Sequence, residues 1–322
     1  MLKYTSNFQG YSCKFSPFVN NILACSFSQY YGMIGNGKIN IFSLNNNTDK
    51  PSLKLENTFN TNEGCFDICF SEANQNHLIS TGGDGCVKLW DITSQNNNHP
   101  LFNLNIHKGE CWCCIWNCIQ IQNICTCGSD QTVNEIDVTK GEIIYKHKLH
   151  SNVVYSCAYH PSLSNIIASS SADGSCKVID TKSNKCVKNF FENYEVMFCD
   201  FGKYDNIIAL ALNNGVINIY DLRSTTNTPL YSRKVHNLTC RKLQFSPLDS
   251  NILISIGYDM NVCIWPFKLM NSNIKVFKHH TEFVYGMDCS LFNNGLIATT
   301  SWDNNICVYN YNNNIFESNG EN

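Results

Sequence analysis

Seven prolines in 322 residues are too few for a proline-rich or collagen-like chain, and charged residues make up only 15%. Neither sign of charge dominates: 23 Lys and Arg stand against 26 Asp and Glu, a formal net charge of −3. A nucleic-acid binder normally carries a basic face, so no nucleic-acid partner is expected. No apolar run approaches the ~20 residues a membrane-spanning helix needs, which argues against direct membrane insertion. The segment Met1 to Asn7 is polar and lacks the apolar core of a secretory signal. No long window places apolar residues at helical spacing either, which predicts almost no helix. The expectation is a soluble, cytoplasmic protein.

What the chain has in quantity is cysteine and asparagine. Nineteen cysteines look like a disulfide framework, but such frameworks belong to small secreted domains. Here the cysteines sit at apolar positions of predicted strands, as in Cys176-Lys-Val, Cys263-Ile-Trp and Cys307-Val-Tyr, where free Cys acts as a small hydrophobe. The 46 asparagines cluster at Asn45 to Asn47, Asn96 to Asn98 and Asn312 to Asn314. They fall between predicted strands, where Asn tolerates turns, and read as inflated loops.

One pattern recurs: a turn with Asp or Asn, then a strand ending in an aromatic or Ile. Its copies include Asp84-Gly-Cys-Val-Lys-Leu-Trp90-Asp, Asp173-Gly-Ser-Cys-Lys-Val-Ile179-Asp and Asn214-Gly-Val-Ile-Asn-Ile-Tyr220-Asp. The anchors are Phe42, Trp90, Ile136, Ile179, Tyr220, Trp265 and Tyr309, with a mean interval of 44.5 residues. That period matches a WD-repeat unit of about 40–45 residues and four strands. Seven copies over residues 1–322 predict an all-β, seven-bladed WD-repeat β-propeller as the one domain, with a flexible tail from about 312.

Each unit begins with a strand of alternating apolar residues, such as Phe66-Asp-Ile-Cys-Phe70 or Val284-Tyr-Gly-Met-Asp288. A second apolar strand follows, as at Ile166-Ile-Ala-Ser169. The last blade is one strand short after Tyr309, and Leu2 to Thr5 is the segment expected to complete it, protecting the ring from opening at an exposed edge. His107, His150, His236 and His280 precede first strands, and Asp130, Asp173, Asp259 and Asp303 occupy the following turns. A buried carboxylate needs such a partner, so these eight residues form the expected structural hydrogen-bond set, with a Ser or Thr and the Trp.

The recurrence of Ser, His and Asp is not a hydrolase triad, because a catalytic site occurs once and its nucleophile sits in a special turn. No enzyme activity and no cofactor are expected. Cys111-x-x-Cys114 has zinc-like spacing, but its two thiols belong on opposite sides of a strand, and no metal site is expected. Gly32-Met-Ile-Gly-Asn-Gly37 precedes no helix that could hold phosphate and reads as a turn.

Glu63, Glu110, Glu195 and Glu282 stand just before first strands, and in a propeller these entry loops share one end of the ring. Phe66, Trp112, Phe198, Phe283 and Tyr285 lie beside them. An acidic face with apolar anchors suits a basic, amphipathic peptide. Exposed glutamates also serve solubility, and position alone supports both readings equally.

Several segments resemble the WD-repeat receptors for the type 2 peroxisomal targeting signal. They are Gly10-Tyr-Ser-Cys-Lys-Phe-Ser-Pro-Phe18, Tyr31-Gly-Met-Ile-Gly-Asn-Gly-Lys38, Arg241-Lys-Leu-Gln-Phe-Ser-Pro247 and His279-His-Thr-Glu-Phe-Val-Tyr-Gly-Met-Asp288 with Ser301-Trp-Asp303. The resemblance implies cargo proteins bearing an N-terminal helical signal: a basic and an aliphatic residue, five residues, then His or Gln with Leu or Ala. It also implies a co-receptor (the long form of the type 1 signal receptor or an equivalent), peroxisomal docking proteins, and a cytoplasmic receptor that cycles to the peroxisome. In that family pattern the four glutamates match acidic positions. Ser151 stands where the family usually has an acid. Ile136 and Ile179 replace Trp and Asn214 replaces the turn Asp, which is expected to loosen blades three to five. A general WD-repeat scaffold or substrate adaptor, of ubiquitin-ligase or chromatin type, is the competing expectation.

Overall fold

Alternation at period two is realised as 28 strands among the described residues, grouped in seven antiparallel sheets of four. The computed structural model describes residues 1–45, 52–94, 99–269 and 272–312. Asn46, Asn47, Asn96 to Asn98, Asn313, Asn314 and the tail after Asn312 lie outside them. The innermost strands of blades 1 to 7 are Gln9–Phe15, Cys65–Phe70, Cys111–Trp116, Val154–Tyr159, Val196–Phe201, Cys240–Phe245 and Val284–Cys289. Each packs against the next, and blade 7 packs against blade 1, so the ring closes. One 3₁₀ turn at Tyr30–Gly32 is the helical content of the described chain.

Closure follows the expected route. Leu2–Thr5 pairs antiparallel with Asn305–Asn310, Leu2 opposite Val308 and Thr5 opposite Asn305. It is the outer strand of blade 7. Tyr4 packs edge-on against Phe42 of blade 1, with ring centroids 4.8 Å apart, so the same strand ties the last blade to the first.

The repeat anchors fill the gaps between blades. Phe42, Trp90, Ile136, Ile179, Tyr220, Trp265 and Tyr309 are all buried. All nineteen cysteines are free, and fifteen are buried. The His, Asp and Ser/Thr members of the hydrogen-bond set come together in four blades with one geometry, but without the Trp. Ile136, Ile179 and Tyr309 stand at its place in three of them, and the Trp265 indole N–H has no hydrogen-bond partner among the described residues. His Nδ1 meets the turn Asp at 2.8 Å in His107–Asp130, 2.9 Å in His150–Asp173, 2.8 Å in His236–Asp259 and 3.0 Å in His280–Asp303. The other ring nitrogen meets Thr126, Ser169, Ser255 or Thr299 at 2.8–2.9 Å. Burial alone would raise the carboxyls, but hydrogen bonds and the imidazoles hold Asp173, Asp259 and Asp303 down at about 2.

In blades three to five other side chains occupy the places of the missing residues. Trp90 of blade 2 donates its indole N–H to Ser80 at 2.8 Å. Ile136 and Ile179 fill the equivalent places, fully buried, leaving no indole donor to satisfy. In blade 5, Glu192 occupies the position four residues before the inner strand that His holds elsewhere. Its carboxylate accepts from Asn218 Nδ2 at 2.8 Å and Tyr220 Oη at 2.6 Å.

Candidate functional site

Each inner strand begins with a β-bulge, at the same place in all seven blades. A bulge leaves one residue unpaired and re-aims its side chain. The seven residues so released are Tyr11, Phe66, Trp112, Tyr155, Met197, Arg241 and Tyr285. All but Phe66 and Met197 line both a bowl of about 440 Å³ at the entry end and the narrower space beneath it; Met197 lines the bowl and Phe66 the space below.

A second ring comes from the residues that follow each second strand, among them Ser129, Asn213, Tyr258 and Trp302. Trp302 is the hub of an aromatic wall. It stacks on Tyr285 at 5.5 Å between ring centroids and lies 5.4 Å from Phe283, 5.2 Å from Tyr31 and 6.0 Å from Tyr11. Tyr258 stacks on Phe283 at 4.5 Å, and Phe66 stacks on Trp112 at 4.7 Å. Blades 6, 7, 1, 2 and 3 thus present a nearly continuous aromatic arc. The arc includes Tyr31, held in the left-handed region with φ 58° in the first-blade loop. Tyr11 fixes that loop by donating its hydroxyl to the Tyr31 carbonyl at 2.6 Å.

Acidic residues border the arc unevenly. Glu195 lines the bowl and accepts from Tyr155 Oη at 3.3 Å. Burial and the nearby Glu195 push the Tyr155 phenol up to about 12, so it stays a donor. Glu110 accepts from Ser129, whose oxygen accepts the Trp112 indole N–H at 3.0 Å. Glu63 and Glu282 stand one residue further from the inner strand than Glu110 and Glu195, in the bend that leads into it. Glu63 sits beside a separate shallow cleft with Lys88, and Glu282 is exposed, its carbonyl accepting from Ser301 at 3.0 Å. All four stand at the entry end, but only Glu195 lines the bowl; Glu110 reaches its wall through Ser129 and Trp112, and Glu63 and Glu282 lie outside its lining.

Among the aromatic candidates, Phe66, Trp112 and Tyr285 are bulge residues, and Phe283 joins the wall through Tyr258. Phe198 is displaced. The bulge in blade 5 releases Met197, and Phe198 turns into the space below the bowl, 5.3 Å from the Lys242 ammonium. Sequence reasoning missed Tyr11, Tyr31, Tyr155, Met197, Arg241, Tyr258 and Trp302 as site residues. Two of them carried a signal: Tyr258 and Trp302 immediately precede turn aspartates, Asp259 and Asp303.

Beneath the bowl the ring is laced by charge. The guanidinium of Arg241 lies 4.2 Å over the Tyr285 ring. Asp67 accepts from Ser12 Oγ at 2.7 Å and from the Cys114 N–H of the next blade at 3.1 Å. Asp200 and Asp288 likewise accept from Phe245 and Phe15 of their neighbouring blades, at 2.9 and 2.8 Å. Each carboxylate so placed clamps one blade to the next. Burial pushes Asp67 up to about 6 and Asp200 up to about 7.

A ring of seven four-stranded blades with an aromatic mouth and a clamped floor defines a WD-repeat binding platform. The family model for the WD domain, G-beta repeat, matches residues 53–91, 141–180 and 271–310. The chain is 30% identical to the peroxisomal targeting signal 2 receptor of Mus musculus over 93% of both chains. It is 31% identical to that of Homo sapiens over 86% of this chain and 85% of the relative. It is 29% identical to that of Saccharomyces cerevisiae over 96% of this chain and 99% of the relative. The chain belongs to the peroxisomal targeting signal 2 receptor family.

Proposed function

We propose that this protein is a soluble cargo receptor that binds the N-terminal type 2 targeting signal of peroxisomal matrix proteins. With a co-receptor it delivers them to the docking proteins of the import machinery, cycling between cytoplasm and peroxisome. The observation that carries this reading is the aromatic bowl bordered by Glu195 and Glu110 on the entry face of a propeller of this family. A short amphipathic helix lays its apolar residues against Trp302, Tyr258 and Trp112, and its basic residue meets the carboxylates. A partly exposed pair of this kind gives about 1 kcal/mol and chiefly sets orientation. Most of the affinity comes from apolar contact and from the co-receptor that covers the outer side of the helix. The receptor reading requires no catalysis.

Fluorescence anisotropy of a labelled signal peptide, with co-receptor present, tests the proposal. Wild-type protein binds, and Glu195→Lys, Glu110→Lys and Glu282→Lys weaken binding, Glu195→Lys most because it lines the bowl. Unchanged binding in all three variants sinks the acidic-face model. Absence of peptide binding to the wild type favours a general scaffold instead.

A further inference from the structure

The pseudo-symmetry of the propeller builds the same small corner at every blade junction. It is made by the residue after the mouth bulge, its cross-strand partner, and the residue two past the bulge of the next blade. Between blades 2 and 3 the corner holds Asp67, Thr81 and Cys114. Between blades 4 and 5 it holds Ser156, Ser170 and Cys199, with Ser156 Oγ 2.8 Å from Ser170 Oγ and 3.6 Å from Cys199 Sγ. Between blades 3 and 4 all three positions are cysteine: Cys113, its partner Cys127, and Cys157. No other corner holds more than one sulfur.

The three Sγ atoms lie within 4.8 Å of one another, and Cys113 and Cys157 are 4.0 Å apart. All three residues are at most 5% exposed, and none is in a disulfide. A triangle with edges of 4.0 to 4.8 Å has its centre about 2.3–2.8 Å from each corner, and the lower figure equals a metal–thiolate bond of about 2.3 Å. Zinc in a closed structural site takes four ligands, and cubane or rhombic iron–sulfur clusters take four cysteines. Thiolates alone, three in number, suit a soft monovalent d¹⁰ ion. Cys113 also forms part of the wall of the space beneath the bowl.

We propose that Cys113, Cys127 and Cys157 form a closed three-sulfur site for monovalent copper, pinning blade 3 to blade 4. The ion leaves its carrier, bonds to the three sulfurs and displaces thiol protons to solvent; no electron is transferred. The site lies one residue from Trp112, so the bound ion fixes the bowl wall from behind. It stands independently of the cargo reading.

The test is anaerobic competition for Cu(I) between the reduced full chain and bathocuproine disulfonate. One ion per chain is retained by the wild type and by the Cys118→Ser/Cys186→Ser variant, which lacks the two exposed thiols. Cys127→Ser and Cys157→Ser each lower affinity by about 100-fold or more, at least the loss that removing an outer-shell partner brings, whereas Cys25→Ser, a buried thiol of blade 1, leaves it unchanged. X-ray absorption on the wild-type complex reads the site without any variant and gives three sulfurs at about 2.3 Å. No retained copper, equal retention by a folded Cys157→Ser chain, or a first shell with nitrogen, oxygen or only two sulfurs overturns the proposal.

Discussion

Trp302 touches more of the mouth than any acidic residue does. It joins blade 7 to Tyr258 of blade 6 and to Tyr11 and Tyr31 of blade 1. Replacing it by Ala removes the centre of the arc but none of the strand ladder. The expected result is a loss of peptide affinity of about 2 kcal/mol or more, read by anisotropy, with secondary structure intact by circular dichroism. Glu192 makes a different prediction. Glu192→Ala leaves the Asn218 amide and the Tyr220 hydroxyl without their acceptor, at a cost of about 1–3 kcal/mol. Urea denaturation should show a lower midpoint with an unchanged slope.

At the scale of elements, the closing strand carries the clearest consequence. Leu2–Thr5 covers the edge of Asn305–Asn310 and packs Leu2 and Tyr4 against the core beneath blade 1. Deleting it should destabilise the ring by about 2–4 kcal/mol, from the half-buried side chains alone. It should also expose an unpaired edge that recruits a second copy. Thermal melting and size-exclusion chromatography check both outcomes; a deleted chain that melts as the wild type does and stays monomeric contradicts the role given to the strand.

Blade number, strand order and this closure were legible in the sequence because period-two alternation and turn chemistry repeat with little interference. The His–Asp pairs were legible for the same reason, since each is spaced by 23 residues. The mouth was legible only in part: Phe66, Trp112, Tyr285 and Glu195 were found, but a bulge breaks the very alternation used to read a strand and hid the rest. Proximity to Glu195 in the sequence pointed to Phe198, but the inserted residue of the bulge gave the place to Met197. The thiol corner was hidden likewise, since Cys113, Cys127 and Cys157 come from two blades and only register brings them together.

For the whole molecule, stability should depend on pH in two opposing ways. Burial holds His107 and His150 below their ordinary range, so the unfolded chain takes up protons that the folded one refuses. Stability from these groups is complete above about pH 6.5 and falls as pH drops below it. The depressed Asp173, Asp259 and Asp303 add a further loss from about pH 4 down to about 2. Asp67 and Asp200 act in reverse. Their raised pKa values mean that the folded ring binds more protons than the unfolded chain between about pH 4 and 7, so their contribution weakens as pH rises through that window. Asp200→Asn, which keeps an oxygen for the Phe245 N–H, should therefore raise the melting temperature at pH 8 more than at pH 5. His150→Gln should flatten the decline between pH 7 and 5. Melting curves across pH 4 to 8 separate the two.

Thr5 and Asn305, joined by a side-chain hydrogen bond, stand 300 residues apart in the chain. At synthesis rates of about 5–20 residues per second, the first strand waits roughly 15–60 s for its partner to be made. By the end of that wait six blades stand beside an unfinished seventh. A chain of this design therefore needs shelter on the ribosome until the end of its message has been read.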